Sequence, residues 1–196
     1  MNYWQRFLSI ILLLAGMLLI TVSCKLTEII NNYTSTYSAK KIPQQPPIVK
    51  EINKYKPFMD SFFENEKKIN SSFNDLKNKQ FYNLSNDNQL EEFRKYFKFN
   101  ISLPVKKQIN ELSRFTSSDS TLNSLNQNLL KEIKKQDALY KEFTDLLEPG
   151  IVKNNKKFRT ETIRIGKELT SIKQEQTKII RKISEVFTIH GLELKY

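Results

Sequence analysis

The sequence predicts an all-α protein, a helical bundle that ends in a long antiparallel helical hairpin. Three observations lead there. After residue 50, apolar residues recur at spacings of three and four over most of the chain. Only 4 glycines occur in 196 residues, too few and wrongly spaced for a Rossmann fingerprint or a P-loop. A Pro149-Gly150 pair divides the most regular stretch into two long halves.

The elements follow in order. From Lys50 onward, Phe58, Phe62, Ile69, Phe73 and Leu76 fall on one helical face, with Pro57 suited to the first turn of that helix. Leu90, Phe93 and Phe97 predict a second, shorter helix from about Asp87, and Val105, Ile109, Leu112 and Phe115 a third beginning at Pro104. Between these two, Phe97, Phe99, Ile101 and Leu103 alternate with period two, and the join reads as an extended connector. Leu122, Leu125, Leu129, Leu139, Phe143 and Leu146 then fit an a/d seam, with polar Glu132 and Gln136 at two of its positions. After the Pro-Gly break, Phe158, Thr162, Ile165, Leu169, Ile172, Gln176, Ile179, Ile183 and Val186 step by alternating four and three without a slip. Two such helices joined by a short turn fold back on each other, giving a hairpin over about residues 119–189.

Charge agrees with that pairing. Residues 119–148 carry 4 basic and 6 acidic side chains, whereas residues 153–185 carry 10 basic and 4 acidic. Opposite signs favour the hairpin over self-association of the basic helix. The unbalanced remainder makes the last helix the most basic surface of a chain whose formal net charge is +11.

The start of the chain has a different character. Met1 to Arg6 carries one positive side chain, residues 7–22 are 16 uncharged and mostly apolar residues, and Ser23-Cys24 follows. That is the layout of a secretory signal segment. A helix of this length rises about 24 Å, short of a hydrocarbon core of about 30 Å. The stretch Ile20-Thr21-Val22-Ser23-Cys24 resembles the lipobox of a bacterial lipoprotein precursor, with Thr21 standing where Leu is usual. The resemblance implies cleavage before Cys24, which would become the lipid-modified first residue of the mature chain. It covers only the first 24 residues.

The expected organisation is therefore a lipoprotein signal peptide at 1–23, an acylated N-terminus and flexible Pro/Asn/Ser-rich tether at 24–49, and a helical domain at 50–196. Pro43, Pro46 and Pro47 favour extended geometry at the end of the tether. The domain would be lipid-anchored at the cell membrane or an outer membrane and would face away from the cytoplasm.

Candidate chemistry is sparse. One cysteine and one histidine exclude an intrachain disulfide and the usual clustered zinc sites, so neither a metal nor a cofactor is expected. His190 precedes Gly191 near the chain end, where a helix C-terminus favours a cation through its dipole. Glu64 with Glu66, and Glu91 with Glu92, are too close in sequence to converge on a substrate as an acid and base pair. Glu161, Glu168 and Glu175 recur every seven residues and flank the seam. The run Phe93-Arg94-Lys95-Tyr96-Phe97-Lys98-Phe99 interleaves rings and cations, as base-stacking and membrane-surface segments do. Eight of the 13 phenylalanines lie between Phe58 and Phe99, which points instead to rings in the core with cations snorkelling around them.

These observations predict a non-enzymatic, lipid-anchored binding or structural module. The residues expected to bind are Lys153, Lys156, Lys157, Arg159, Arg164, Lys167, Lys173, Lys178, Arg181 and Lys182. Their partner would be an anionic envelope polymer or the helices of another protein, since clustered cations concentrate polyanions. Nucleic acid is not expected for an exported domain. The alternative is a coiled-coil oligomeric scaffold, in which the last seam pairs between chains and polar Thr162 and Gln176 fix its register.

Overall fold

A computed structural model describes residues 47–78, 86–153 and 155–194. The expected signal peptide, Cys24 and most of the expected tether lie outside the described residues. Within them the chain is helical and no strand occurs, in agreement with the all-α expectation.

The helices are α1 (Pro47–Asn78), α2 (Asp87–Phe97), a π-turn (Lys98–Ser102), α3 (Leu103–Leu112), α4 (Ser120–Leu146), α5 (Pro149–Lys153) and α6 (Asn155–Ile189). α1 starts ten residues before Pro57, not at it, because Val49, Ile52 and Tyr55 add buried side chains upstream. Residues 47–49, expected in the tether, therefore belong to the bundle. Pro57 lies inside the helix, where its missing N–H removes one i→i−4 bond.

α2, the π-turn and α3 form one continuous helical run rather than two helices with an extended join. Asn86 opens it, its side-chain oxygen accepting the Asn88 and Gln89 backbone N–H groups. The widened turn comes just before Pro104, whose ring has no N–H to give and crowds the carbonyl four residues back. A π-turn accommodates that defect while Phe97, Ile101 and Val105 stay in the core. The period-two alternation arises because Phe97 and Ile101 point inward and Phe99 and Leu103 outward from a helix, not a strand.

α4 is capped by Asp119, whose Oδ1 accepts the Leu122 N–H at 2.8 Å. The preceding loop is held from α1: Glu51 accepts from Ser117 Oγ at 2.7 Å and from the Ser118 N–H at 3.2 Å. Those bonds, Ser117 foremost, hold the Glu51 carboxyl below its usual range. Asn126 Nδ2 donates to the Leu112 carbonyl at the end of α3, which also accepts the Phe115 N–H. Pro149 begins the one-turn helix α5 instead of sitting in a bare two-residue turn. α6 ends in a Schellman motif: Gly191 adopts φ 72°, its N–H bonds to Thr188 O, and the Leu192 N–H bonds to Phe187 O.

The four long runs alternate in direction. Tyr55 at the start of α1 meets Phe115 beyond the end of α3 and Phe187 at the end of α6. At the other end, Phe73 of α1, Phe93 and Phe97 of α2, and Tyr140 and Phe143 of α4 form a ring cluster. α1 packs on the π-turn and α3, α3 on α4, and α4 on α6, while α1 and α6 meet through Tyr55–Phe187 and a Glu66–Lys173 ion pair. This is an up-down-up-down four-helix bundle. The expected hairpin is its α4–α6 half.

Candidate functional site

The bundle interior carries a polar layer drawn from four helices. On α1, Glu66 accepts from Lys173 Nζ of α6 at 2.6 Å and from Gln108 Nε2 of α3 at 3.0 Å. Gln108 Nε2 also donates to Phe62 O, while its Oε1 is buried without a partner. Beside this cluster, Gln176 Nε2 donates to Gln136 Oε1 at 2.8 Å, and Gln136 Nε2 to Tyr140 Oη at 3.1 Å. Burial, reinforced by the nearby Glu66 charge, pushes the Tyr140 phenol well above its ordinary range. Of the polar seam positions read from the sequence, Gln136 and Gln176 thus bond to each other within one chain, whereas Glu132 pairs with Lys135 and Thr162 donates to Phe158 O of its own helix. Such a layer admits one register of α4 against α6.

The ten cations expected to bind fall into distinct groups. Lys173 is the correction: at 9% exposure it is buried and neutralised by Glu66, because α1 covers the edge of α6 next to the seam. Arg164 is held by Glu161 and Glu168 of its own helix and by Glu142 of α4, which raises its already high pKa further. It acts as a clasp across the hairpin. Lys178 and Arg181 are exposed and pair with Glu175 and Glu185 one turn away. Lys156, Lys157, Arg159, Lys167 and Lys182 are exposed along α6. The side chain of Lys153 lies outside the described residues.

Lys156, Lys167 and Lys178 are the ordered part of this surface. They are 11 residues apart, three turns, and so share one face at intervals of about 16 Å along the helix. The a/d seam beneath them is spent inside the chain, with Ile165, Ile172, Gln176 and Ile183 buried. No family model matches the chain. Neither a curated protein nor a solved structure matches it either.

A second surface was only half legible in the sequence. A cleft of about 630 Å³ lies between α2–α3 and α4. On one wall α2 contributes Glu91, Arg94 and Lys95, and the π-turn contributes Lys98, Phe99 and Ser102. Lys106 of α3 extends that wall, and α4 faces it with Asp137, Lys141, Thr144 and Asp145. Desolvation raises the Asp137 carboxyl above its ordinary value, against the pull of Lys106 and Lys141. The ring-and-cation run Phe93–Phe99 thus divides: Phe93 and Phe97 enter the core, whereas Phe99 and the cations face the cleft.

The remaining candidates have structural partners. Glu64 is exposed and bonded to Lys68, whereas Glu66 points inward, so the two do not converge. Glu91 lies near Arg94 and Lys95 at 3.6 and 3.7 Å. His190 occupies the C-cap of α6 just before Gly191.

Proposed function

We propose that the protein is a lipid-anchored cell-envelope protein that binds an anionic envelope polymer, without catalysis, through the exposed face of α6. Cys24 carries the lipid in this reading, and residues 25–46 span the distance to the bundle. The observation that carries the binding half is the row Lys156, Lys167 and Lys178, exposed on one face over about 33 Å. Cations spread this far suit an extended chain of repeated negative groups, whereas a compact ligand would need them convergent. Lys182 and Arg159 widen the same surface. Support for the anchor is the sequence Ile20-Thr21-Val22-Ser23-Cys24 alone.

Two measurements test the halves separately. Labelling cells with a clickable palmitate and comparing the wild type with Cys24→Ala tests the anchor: label and membrane fractionation should both disappear in the variant. Retained fractionation without label would identify an uncleaved helical anchor. For binding, the wild type and a Lys156→Gln/Lys167→Gln/Lys182→Gln variant are compared for retention on immobilised poly(glycerol phosphate). Wild-type retention should fall as salt shortens the screening length, and the variant should elute earlier. Equal elution of the two would remove α6 as the binding face.

A further inference from the structure

We propose that the outward face of the α2–π–α3 run, centred on Phe99 and Leu103, docks on the surface of an anionic lipid bilayer. Phe99 is 59% exposed and Leu103 46%. Among the described residues only Ile163 and Ile189 are other large apolar side chains left so open, and both lie on α6. Phe99 and Leu103 are four residues apart, hence neighbours on the helix surface. They form a small paired apolar tip, not scattered exposure.

Cations border that tip. The Lys98 ammonium stands 5.9 Å from the centroid of the Phe99 ring. Lys95 and Lys106 lie about one turn to either side, and Lys141 reaches the same cleft from α4. Long amine side chains around an exposed ring can keep their charge at headgroup level while the ring enters the acyl boundary. The neighbouring cleft, at about 630 Å³, has room for a phospholipid headgroup; its walls carry the Ser102 and Thr144 hydroxyls and five cations against the carboxylates of Glu91, Asp137 and Asp145.

The occupant follows from this pairing of chemistries. An acidic peptide or a hydrophilic polyanion would use the lysines and leave Phe99 and Leu103 in water. An anionic bilayer satisfies both, because apolar burial and electrostatic attraction act together there. The π-turn is where the geometry originates, since it keeps Phe97 and Ile101 inside while turning Phe99 out. Docking does not depend on acylation of Cys24. A tether of any chemistry near the N-terminus would raise the local concentration of the face at the membrane.

The test uses the full chain reconstituted in vesicles. Trp4→Phe removes the only tryptophan, and Phe99→Trp then places a single reporter at the tip. The vesicles combine brominated phosphatidylcholine with phosphatidylglycerol. The expected result is bromine quenching of the reporter at position 99 in anionic vesicles and loss of quenching in vesicles without phosphatidylglycerol. A reporter introduced as Ile163→Trp, exposed on α6, should stay unquenched in both. In the Phe99→Trp background, Lys95→Gln/Lys98→Gln/Lys106→Gln should weaken docking about fivefold per cation removed. Positions 95, 98, 99, 106 and 163 are all exposed, and circular dichroism of each variant checks that the bundle persists. No quenching at position 99, equal quenching at 99 and 163, or indifference to lipid charge would each overturn the proposal. So would a reporter at 99 that ignores lipid but shifts its emission on adding polyglutamate, which would assign the face to an acidic protein partner.

Discussion

Removing Lys173 should destabilise the bundle far more than removing any other lysine of α6. Its side chain is 11% exposed and its Nζ lies 2.6 Å from Glu66 Oε2, with Glu66 itself 18% exposed. Lys173→Met keeps the stem's volume but leaves a largely desolvated carboxylate with one remaining bond, from Gln108 Nε2. Stripping a buried pair of one partner costs about 3–5 kcal/mol, and the partial exposure of Glu66 argues for the lower end, about 3 kcal/mol. With a urea dependence of about 2 kcal/mol per molar, the midpoint should fall by about 1.5 M. Lys167→Met, at an exposed position of the same helix, should move it by less than about 0.3 M. The double variant Glu66→Leu/Lys173→Met removes both charges, and Gln108 Nε2 still donates to Phe62 O. It should recover to within about 1 kcal/mol of wild type, so the coupling energy should be at least about 2 kcal/mol, with the cost of Glu66→Leu alone adding to that figure. The assay is urea unfolding followed by helical circular dichroism and tyrosine fluorescence together. A Lys173→Met midpoint within about 0.5 M of wild type, or a double variant as unstable as the two single losses added, would refute the buried-pair reasoning.

Three further outcomes follow from the same structure. Gly166 sits inside α6 with no heavy atom, apart from its chain neighbours and the backbone of its own helix, within 4 Å of where a Cβ would stand, so Gly166→Ala should stabilise by about 0.5–1 kcal/mol; a lower urea midpoint would show an unseen contact. Asp137 has a folded-state pKa above its ordinary 3.8, chiefly through desolvation, so the native state holds that proton longer and stability declines as pH rises through this window. Asp137→Asn should accordingly raise the urea midpoint at pH 7 and leave it nearly unchanged near pH 3, and an equal shift at both would contradict the assignment. The Tyr55 and Tyr140 phenols are pushed well above 10 by burial, and the stability they contribute is lost only as pH rises beyond that value. In an alkaline absorbance titration these two of the 8 tyrosines should ionise only as the helical signal collapses.

What the sequence disclosed depended on how many constraints each helix satisfies. The α4–α6 hairpin was legible because a three–four spacing kept over many turns has one geometric solution, and the structure places Leu129, Ile165 and Ile183 in the core accordingly. The π-turn was not, because Phe97, Phe99, Ile101 and Leu103 alternate just as a strand would, and only the backbone defect at Pro104 distinguishes the two. The start of α1 was misplaced for a related reason: proline is commonest in a first turn, but Ile52 and Tyr55 extend the buried face upstream of Pro57. Lys173 was misread because a seam analysis treats the flanking heptad positions as solvent. In α6 those positions include Ile180 and Phe187, both buried, so the apolar stripe is wider than a two-helix seam and the flanking lysine goes in with it. The cleft escaped notice because its walls come from segments about 40 residues apart, and no local pattern joins Lys98 to Lys141.

The order of the helices around the bundle bears on how the two proposed surfaces would work together. α1 neighbours α3, α3 neighbours α4, α4 neighbours α6, and α6 returns to α1 through Glu66–Lys173 and Tyr55–Phe187. The α2–α3 run and α6 therefore occupy diagonal corners. A bilayer contact at Phe99 and Leu103 would turn the row Lys156, Lys167 and Lys178 away from the lipid, toward whatever polymer lies beyond it. Were both surfaces to share one corner, the membrane would compete with the polymer for the same cations. The diagonal placement makes the two contacts compatible, so vesicle docking and polymer retention should be additive, and competition between phosphatidylglycerol vesicles and poly(glycerol phosphate) for the full chain would show that one of the two faces has been misassigned.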